Sequence, residues 1–266
     1  MFIIGEKINS TRSSIKEMFK TRNAGLILNL VRSQLAAGAS AIDVNCAVTT
    51  GSELEDMDWV ISVLQSEIPD INLCIDSPNF LALEKGLSAY KGKGELIINS
   101  ITGEESRIKN ILPLALKYGA KLIALTMTEE GMPDTAEGRF EIARKISDRV
   151  KRDGFKEENL YFDPLIRPIS TEPNQAREFL KSIPMIKSLG AVKTICGLSN
   201  VSFGLPDRSL INSVFLSMAM QNGLDAAIMD PLDNKVMSGF YASGALMGAD
   251  EYCQAYIKAF RDGLLV

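Results

Sequence analysis

Short, almost wholly apolar runs alternate with amphipathic stretches from one end of this chain to the other. The runs near 2–5, 41–45, 72–76, 96–99, 121–126, 160–163, 193–198 and 225–229 read as strands buried on both faces. Helical periodicity falls near 23–37, 53–66, 79–89, 104–118, 137–153, 173–188, 209–222 and 249–263, with a further short helix over 235–248. Gly38, Gly119 and Gly190 stand just past helical stretches, where a left-handed cap suits glycine. Strict alternation of eight strands with eight helices predicts parallel strands joined by helical crossovers, an α/β fold of the (β/α)8 TIM barrel type. Such a barrel takes about 250 residues. The 266 residues here show no linker or low-complexity break, so 1–266 is expected to be one domain.

The polar residues sit at informative places. Ile42-Asp43-Val44-Asn45, Cys74-Ile75-Asp76-Ser77, Ile97-Ile98-Asn99-Ser100, Tyr161-Phe162-Asp163-Pro164 and Gly197-Leu198-Ser199-Asn200 each end an apolar run on an acid or an amide. In a (β/α)8 barrel the strand C-termini open onto one face, and that face holds the active site. Three carboxylates and several amides are therefore expected around one cavity, a composition suited to a flat heterocycle rich in N–H donors.

Each residue also has a plainer use. Asp76 precedes Ser77-Pro78 and suits a helix N-cap, although Ser77 can serve there and leave the acid facing the cavity. Asp163 precedes Pro164 and suits a turn. Asp43 and Asn45 share a side of their strand, so Asp43 either meets a ligand or orients Asn45 or a water. Glu6 ends the first strand and either enters the site or pairs with Lys7 or a nearby loop. Asn200 either braces its loop or follows a charge that moves during reaction, since an amide both donates and accepts. Arg208 holds a carboxylate tail or a surface acid. The loops 127–136, 164–172 and 199–208 belong on the same face; the first reads as mobile, and the second as a lid or docking surface.

Composition narrows the chemistry. The chain has no histidine, which removes histidine bases, triads and metal ligands. Cys46, Cys74, Cys196 and Cys253 form no CxxC pair, so no metal site is expected. A net charge of −4 without a basic run argues against nucleic acid. No run approaches a membrane span or a signal-peptide core, and the expectation is a cytoplasmic protein.

Taken in order, Ile4-Gly5-Glu6-Lys7-Ile8-Asn9, Asp43-Val44-Asn45, Ile75-Asp76-Ser77, Ile98-Asn99-Ser100, Tyr161-Phe162-Asp163-Pro164-Leu165, Gly197-Leu198-Ser199-Asn200-Val201-Ser202 and Gly223-Leu224-Asp225-Ala226-Ala227 resemble the methyltetrahydrofolate:corrinoid protein methyltransferases. They also resemble the folate module of cobalamin-dependent methionine synthase. The resemblance spans nearly the whole chain, and the Gly-Leu-Ser-Asn-Val-Ser segment is its most specific part. It implies a pterin-binding TIM barrel that moves methyl between N5 of tetrahydrofolate and the cobalt of a corrinoid, in either direction, in one-carbon metabolism such as O-demethylation or acetyl-CoA formation. Asp76, Asn99 and Asp163 match the family's pterin-binding residues, Asn200 the amide near N5, and Asp43 an acid beside that network. Ser199, Arg208, Glu6 and Asn45 are carried as further substrate-binding candidates, with Asn200 and Asp43 as the catalytic pair. The corrinoid is expected on a separate corrinoid protein, since its usual histidine motif is missing here, and the family implies a homodimer. Phe203 departs from the pattern, standing where some members carry a polar residue. Dihydropteroate synthase shares the barrel, but its glycine-rich, lysine-bearing signature is missing after Asp163, where Pro-Leu-Ile-Arg-Pro follows. A folate-binding protein without activity is the remaining alternative.

Overall fold

The computed structural model describes residues 1–49 and 51–266. Eight parallel strands close into a barrel in sequence order: β1 (Phe2–Asn9), β2 (Ala41–Asn45), β3 (Leu73–Asp76), β4 (Leu96–Ile101), β5 (Lys121–Leu125), β6 (Leu160–Asp163), β7 (Lys193–Gly197) and β8 (Ala226–Met229). The expected (β/α)8 TIM barrel is the observed fold.

The two-residue period of a strand decides what faces the barrel axis. Ile4, Ala41, Cys74, Ile97, Ile123, Tyr161, Ile195 and Ala226, one from each strand, pack together as an apolar plug inside the barrel. The intervening residues face outward. Ile42, Val44, Ile75 and Ile98 pack with the buried faces of α2 (Ala24–Ala36), α3 (Glu53–Glu67) and α4 (Phe80–Ala89), as do residues of α5 (Glu105–Tyr118). On the other side of the barrel, Cys196, Ala227 and Met229 pack beneath α7 (Gln175–Lys187), α8 (Arg208–Gln221) and α9 (Asn234–Leu246). The helix α6 (Ala136–Arg152) fills the place between α5 and α7. No helix among the described residues is long and apolar enough to cross a membrane.

Three elements differ from expectation. Residues 13–20 form a helix, α1 (Ser13–Lys20), which buries Ile15 and Phe19 one turn apart. The eighth barrel helix is α9, not the 249–263 stretch, which supplies only the short α10 (Gln254–Arg261). Serines and glycines in α9 weaken its helical signal, yet close packing requires one of them, Gly239. A Cβ on Gly239 would lie 2.2 Å from Ser213 Oγ of α8. Lastly, β1 runs to Asn9 through a register shift between Gly5 and Ile8. Gln34 of α2 causes no clash there because Gly5 lacks a side chain: a Cβ would stand 2.5 Å from Gln34 Oε1. That oxygen accepts the Lys7 N–H at 3.0 Å. The irregularity keeps Glu6 aimed at the barrel axis while Lys7 turns to an ion pair with Asp230.

Candidate active site at the barrel mouth

One strand step above the apolar plug, the side chains change character. Two residues beyond Ile4, Ala41, Cys74, Ile97, Tyr161 and Ile195 stand Glu6, Asp43, Asp76, Asn99, Asp163 and Gly197; beyond Ile123 and Ala226 stand Leu125 and Ile228. These eight form the floor of a cavity of about 700 Å³ at the C-terminal end of the barrel. Its walls include Asn9 at the end of β1 and Arg12 after it, Ser77 after β3, Thr102, Glu104 and Arg107 after β4, and Ser199 and Asn200 after β7. The volume lies within the range that holds a drug-sized ligand.

Four carboxyl groups meet on this floor, and burial governs each. Asp163 is buried, and burial pushes its pKa up to about 6, opposed by the N–H groups of Leu165 and Gly197 and by Arg139. The Leu165 N–H donates to Asp163 Oδ1 at 2.7 Å, with Leu165 itself in the left-handed region at φ 62°. The Asp-Pro turn and the cavity-facing role thus coexist in one residue. Asp76 is also raised to about 6 by burial, with the Asn45 hydrogen bond and Arg107 pulling the other way. Asp43 lies deeper, and burial followed by the Asp76 charge drives its pKa well above the usual range. It is 2% exposed, and its Oδ1 has no hydrogen-bond partner among the described residues. Of this adjacent pair, Asp43 is pushed further toward its protonated form, with Cys74 and Asn99 opposing, while Asn45 and Arg107 support the charge of Asp76. Glu6 is raised by burial as well, with Arg12 and Ser199 opposing.

The remaining candidates divide into those facing the cavity and those bracing it. Asn99 and Asn200 line it. Gly197 leaves room for the Asn200 amide, because a Cβ there would lie 3.0 Å from Asn200 Nδ2. Ser199 lines the cavity and donates to Glu6 Oε2 at 3.1 Å. Glu6 also accepts from Arg12 at 2.7 Å, so its ion pair is with Arg12 rather than Lys7. Asn45 does not line the cavity: its Nδ2 donates to Asp76 Oδ2 at 2.8 Å, fixing that carboxylate. Arg208 does not line it either. Its guanidinium donates to Ser202 Oγ at 3.0 Å and to the Ser199 carbonyl at 2.5 Å, bracing the loop after β7. It also lies 5.9 Å from the centre of the Phe203 ring, so Phe203 stands exposed outside the cavity, facing a cation. The N-cap of α4 is Asn79, which accepts the Leu81 N–H, and not Ser77 as the sequence suggested; Ser77 instead bonds Glu53 and the Asn79 N–H, and Asp76 is left to the site.

Sequence reading missed Arg107. Its three nitrogens donate to the carbonyls of Ser77, Pro78 and Ser100, tying the end of β3 to the end of β4. It therefore holds Asp76 and Asn99 in register and lends Asp76 a positive field. On the sequence it is one more cation in the first turn of an amphipathic helix. The loops 127–136 and 164–172 are joined: Arg167 donates to Asp134, Glu172 and the Met132 carbonyl. Cys46, Cys74 and Cys196 are buried, and no cluster of metal-ligating residues occurs among the described residues.

Comparison with known proteins agrees with this geometry. Residues 5–230 match the family of pterin binding enzymes. A methylcorrinoid:tetrahydrofolate methyltransferase of Eubacterium limosum is 33% identical over 266 residues, covering 99% of this chain and 97% of that protein. A methionine synthase of Mycobacterium tuberculosis is 32% identical over 244 residues, covering 86% of this chain and 20% of the synthase. The dihydropteroate synthase of Xanthomonas albilineans, solved with 7,8-dihydropteroate, superposes with a TM-score of 0.71 over 92% of this chain and 93% of its own, at 17% identity, a likeness of fold alone. With a barrel whose polar floor and ordered motifs fall where these matches run, the chain belongs to the pterin binding enzymes, and among them to the methyltetrahydrofolate:corrinoid methyltransferases.

Proposed function

We propose that this protein is a methyltransferase that moves a methyl group between N5 of tetrahydrofolate and the cobalt of a corrinoid carried by a separate protein. The observation that carries the reading is the floor itself: Asp76, Asn99 and Asp163 converge in one cavity, with Asn200 on its wall. A pterin edge presents N–H and NH2 donors, which need acceptors that are fixed and partly desolvated. Each charge-assisted hydrogen bond of this kind is worth about 1.5–3 kcal/mol.

The residues divide the work. Asp76, held by Asn45 and Arg107, and Asp163, held by Leu165 and Gly197, accept from the pterin edge, and Asn99 adds an amide that can donate or accept. Asn200 sits at the N5 end of the ring, where its amide donates a hydrogen bond toward N5 as the carbon–nitrogen bond breaks and the nitrogen keeps the electron pair and takes a proton from solvent. Asp43 keeps the Asp76 side of the floor from carrying two full charges. The corrinoid is a co-substrate: cobalt(I) takes the methyl group and becomes methylcobalt(III), or the reverse. This accounts for a site without a histidine base, because the nucleophile arrives with the partner. The enzyme's contribution is alignment of methyl and cobalt and charge relief at N5.

A pyrophosphate-bearing pterin, as a synthase of dihydropteroate type requires, fits this cavity poorly. Its cations are Arg12, paired with Glu6, and Arg107, with four of its five N–H groups on carbonyls, against carboxyls from Glu6, Asp43, Asp76, Glu104 and Asp163. The rest of the reading is that residues 1–266 form a single catalytic domain, cytoplasmic, homodimeric and served by a corrinoid protein that docks transiently at the mouth. The direct test is anaerobic mixing with methyltetrahydrofolate and cob(I)alamin, followed by the loss of cob(I) absorbance. Catalysed formation of methylcobalamin supports the reading. Absence of both transfer and folate binding overturns it.

A further inference from the structure

Of the two guanidinium groups on the cavity wall, Arg12 has the more donors to spare: Arg107 places four of its five N–H groups on carbonyls. Among the described residues its Nη2 donates to Glu6 Oε1 at 2.7 Å, while Nε and Nη1 make no hydrogen bond. The side chain is 41% exposed and lies at the open end of the cavity, in the loop after β1. Lys7, Arg167 and Lys235, the other cations around the mouth, are paired with acids. Arg208, which sequence reading offered for a carboxylate tail, stands outside the cavity and braces its own loop.

The position of Arg12 is fixed relative to the reacting end of the site. Glu6 accepts from Arg12 on one oxygen and from Ser199 on the other, at 2.7 and 3.1 Å, and Ser199 precedes Asn200. Strands β7, β8 and β1 are consecutive around the barrel. The guanidinium is thus one carboxylate removed from the loop assigned to N5, at the end of a strand two steps from β7 and two steps from β3. In tetrahydrofolate the carbon next to N5 bears the aminobenzoyl-glutamate arm, so an arm leaving the ring at that end passes toward the β1 wall.

We propose that Arg12 is the receptor for the carboxylates of the folate's glutamate tail, an inference that rests on tetrahydrofolate being the substrate. Nη2 gives one of its two N–H groups to Glu6, and the other can join whichever of Nε and Nη1 it faces to form a planar fork of the kind that binds carboxylates. Glu6 takes one N–H of Arg12 and leaves the rest of the guanidinium open at the cavity wall. Solvent exposure keeps the contact modest, about tenfold in affinity, or about 1.4 kcal/mol.

The test compares anaerobic binding of tetrahydrofolate with that of tetrahydropteroate, which has the same rings and no glutamate. The wild-type protein is expected to prefer tetrahydrofolate about tenfold at low ionic strength, and less in high salt. Arg12→Ala is expected to erase the preference, and Arg12→Lys to keep part of it. Using the ratio of two ligands in one variant removes any general effect of freeing Glu6. Equal binding of the two ligands by the wild-type protein, or an undiminished preference in Arg12→Ala, overturns the tail assignment and leaves the pterin reading standing. Failure of both ligands to bind overturns the two together.

Discussion

Asp163→Asn isolates what one buried charge contributes to pterin recognition. The substitution keeps the shape of the side chain, and the amide oxygen can still accept the Leu165 N–H that Asp163 Oδ1 accepts at 2.7 Å, so the turn into the loop after β6 persists. What disappears is the charge. If Asp163 accepts from the pterin edge, its loss costs about 1.5–3 kcal/mol, or about 10- to 150-fold in tetrahydrofolate affinity at pH 8. The pH dependence is the sharper readout. Asp163 and Asp76 both have pKa values near 6, and a ligand that presents donors favours their ionised forms. At pH 5 each is ionised to about one part in ten, so wild-type affinity should fall about a hundredfold between pH 8 and pH 5. The variant has one titrating acceptor left, and its affinity should fall only about tenfold over the same range. Calorimetric titration of both proteins under argon gives the two curves, and their ratio cancels any titration of the ligand. Unaltered affinity at pH 8, or parallel curves, would refute the assignment of Asp163 to the pterin.

Further expectations follow from other parts of the site. Asn200→Ala should lower the rate of methyl transfer more than it weakens tetrahydrofolate binding, because its contact strengthens as N5 gains charge; single-turnover kinetics beside equilibrium binding separate the two. In the ligand-free protein the raised pKa of Asp163, about 6 against an ordinary 3.8, contributes stability that is fully present below 3.8 and is lost as pH rises through 6. That amounts to about 2.4 kcal/mol between pH 4 and pH 8, a loss that Asp163→Asn should remove in urea denaturation run across that range. Arg107→Met should weaken tetrahydrofolate binding by loosening Asp76 and Asn99 together, and should raise the pKa of Asp76, moving the alkaline onset of binding upward in pH. Gly5→Ala should destabilise the protein by about 1–3 kcal/mol, since its Cβ would meet Gln34 at 2.5 Å, with a lowered urea midpoint as the measure.

What could be read from the sequence, and what could not, separates along a physical line. Strand positions show because burial on both faces demands continuous apolar runs. The floor shows because an acid or amide two residues past a plug residue interrupts such a run: Asp43 after Ala41, Asp76 after Cys74, Asn99 after Ile97 and Asp163 after Tyr161. One period, alternation by two, therefore encodes both fold and floor. The residues that steady the floor come from outside that period. Arg107 reaches three carbonyls from a helix, and Arg12 reaches Glu6 from a loop, and no spacing in the chain marks either. Asn45 shows the limit from within a strand. It shares a side with Asp43 by period, yet hydrogen-bonds to Asp76 on the next strand, because the β2–β3 register sets Asn45 beside Asp76. The short helix expected over 235–248 is present, but the pattern assigns the place of the eighth barrel helix to 249–263 for a related reason. Gly239 is there to let α9 approach Ser213, and a residue chosen for closeness to a neighbour weakens the very pattern by which its own helix is recognised. Local period reports which face is buried, whereas the partner of a polar group is decided by register between strands and by reach from helices. A positive charge on the β1 wall therefore becomes interpretable only once Glu6, Ser199 and Asn200 are seen to stand in one line of contacts leading to it.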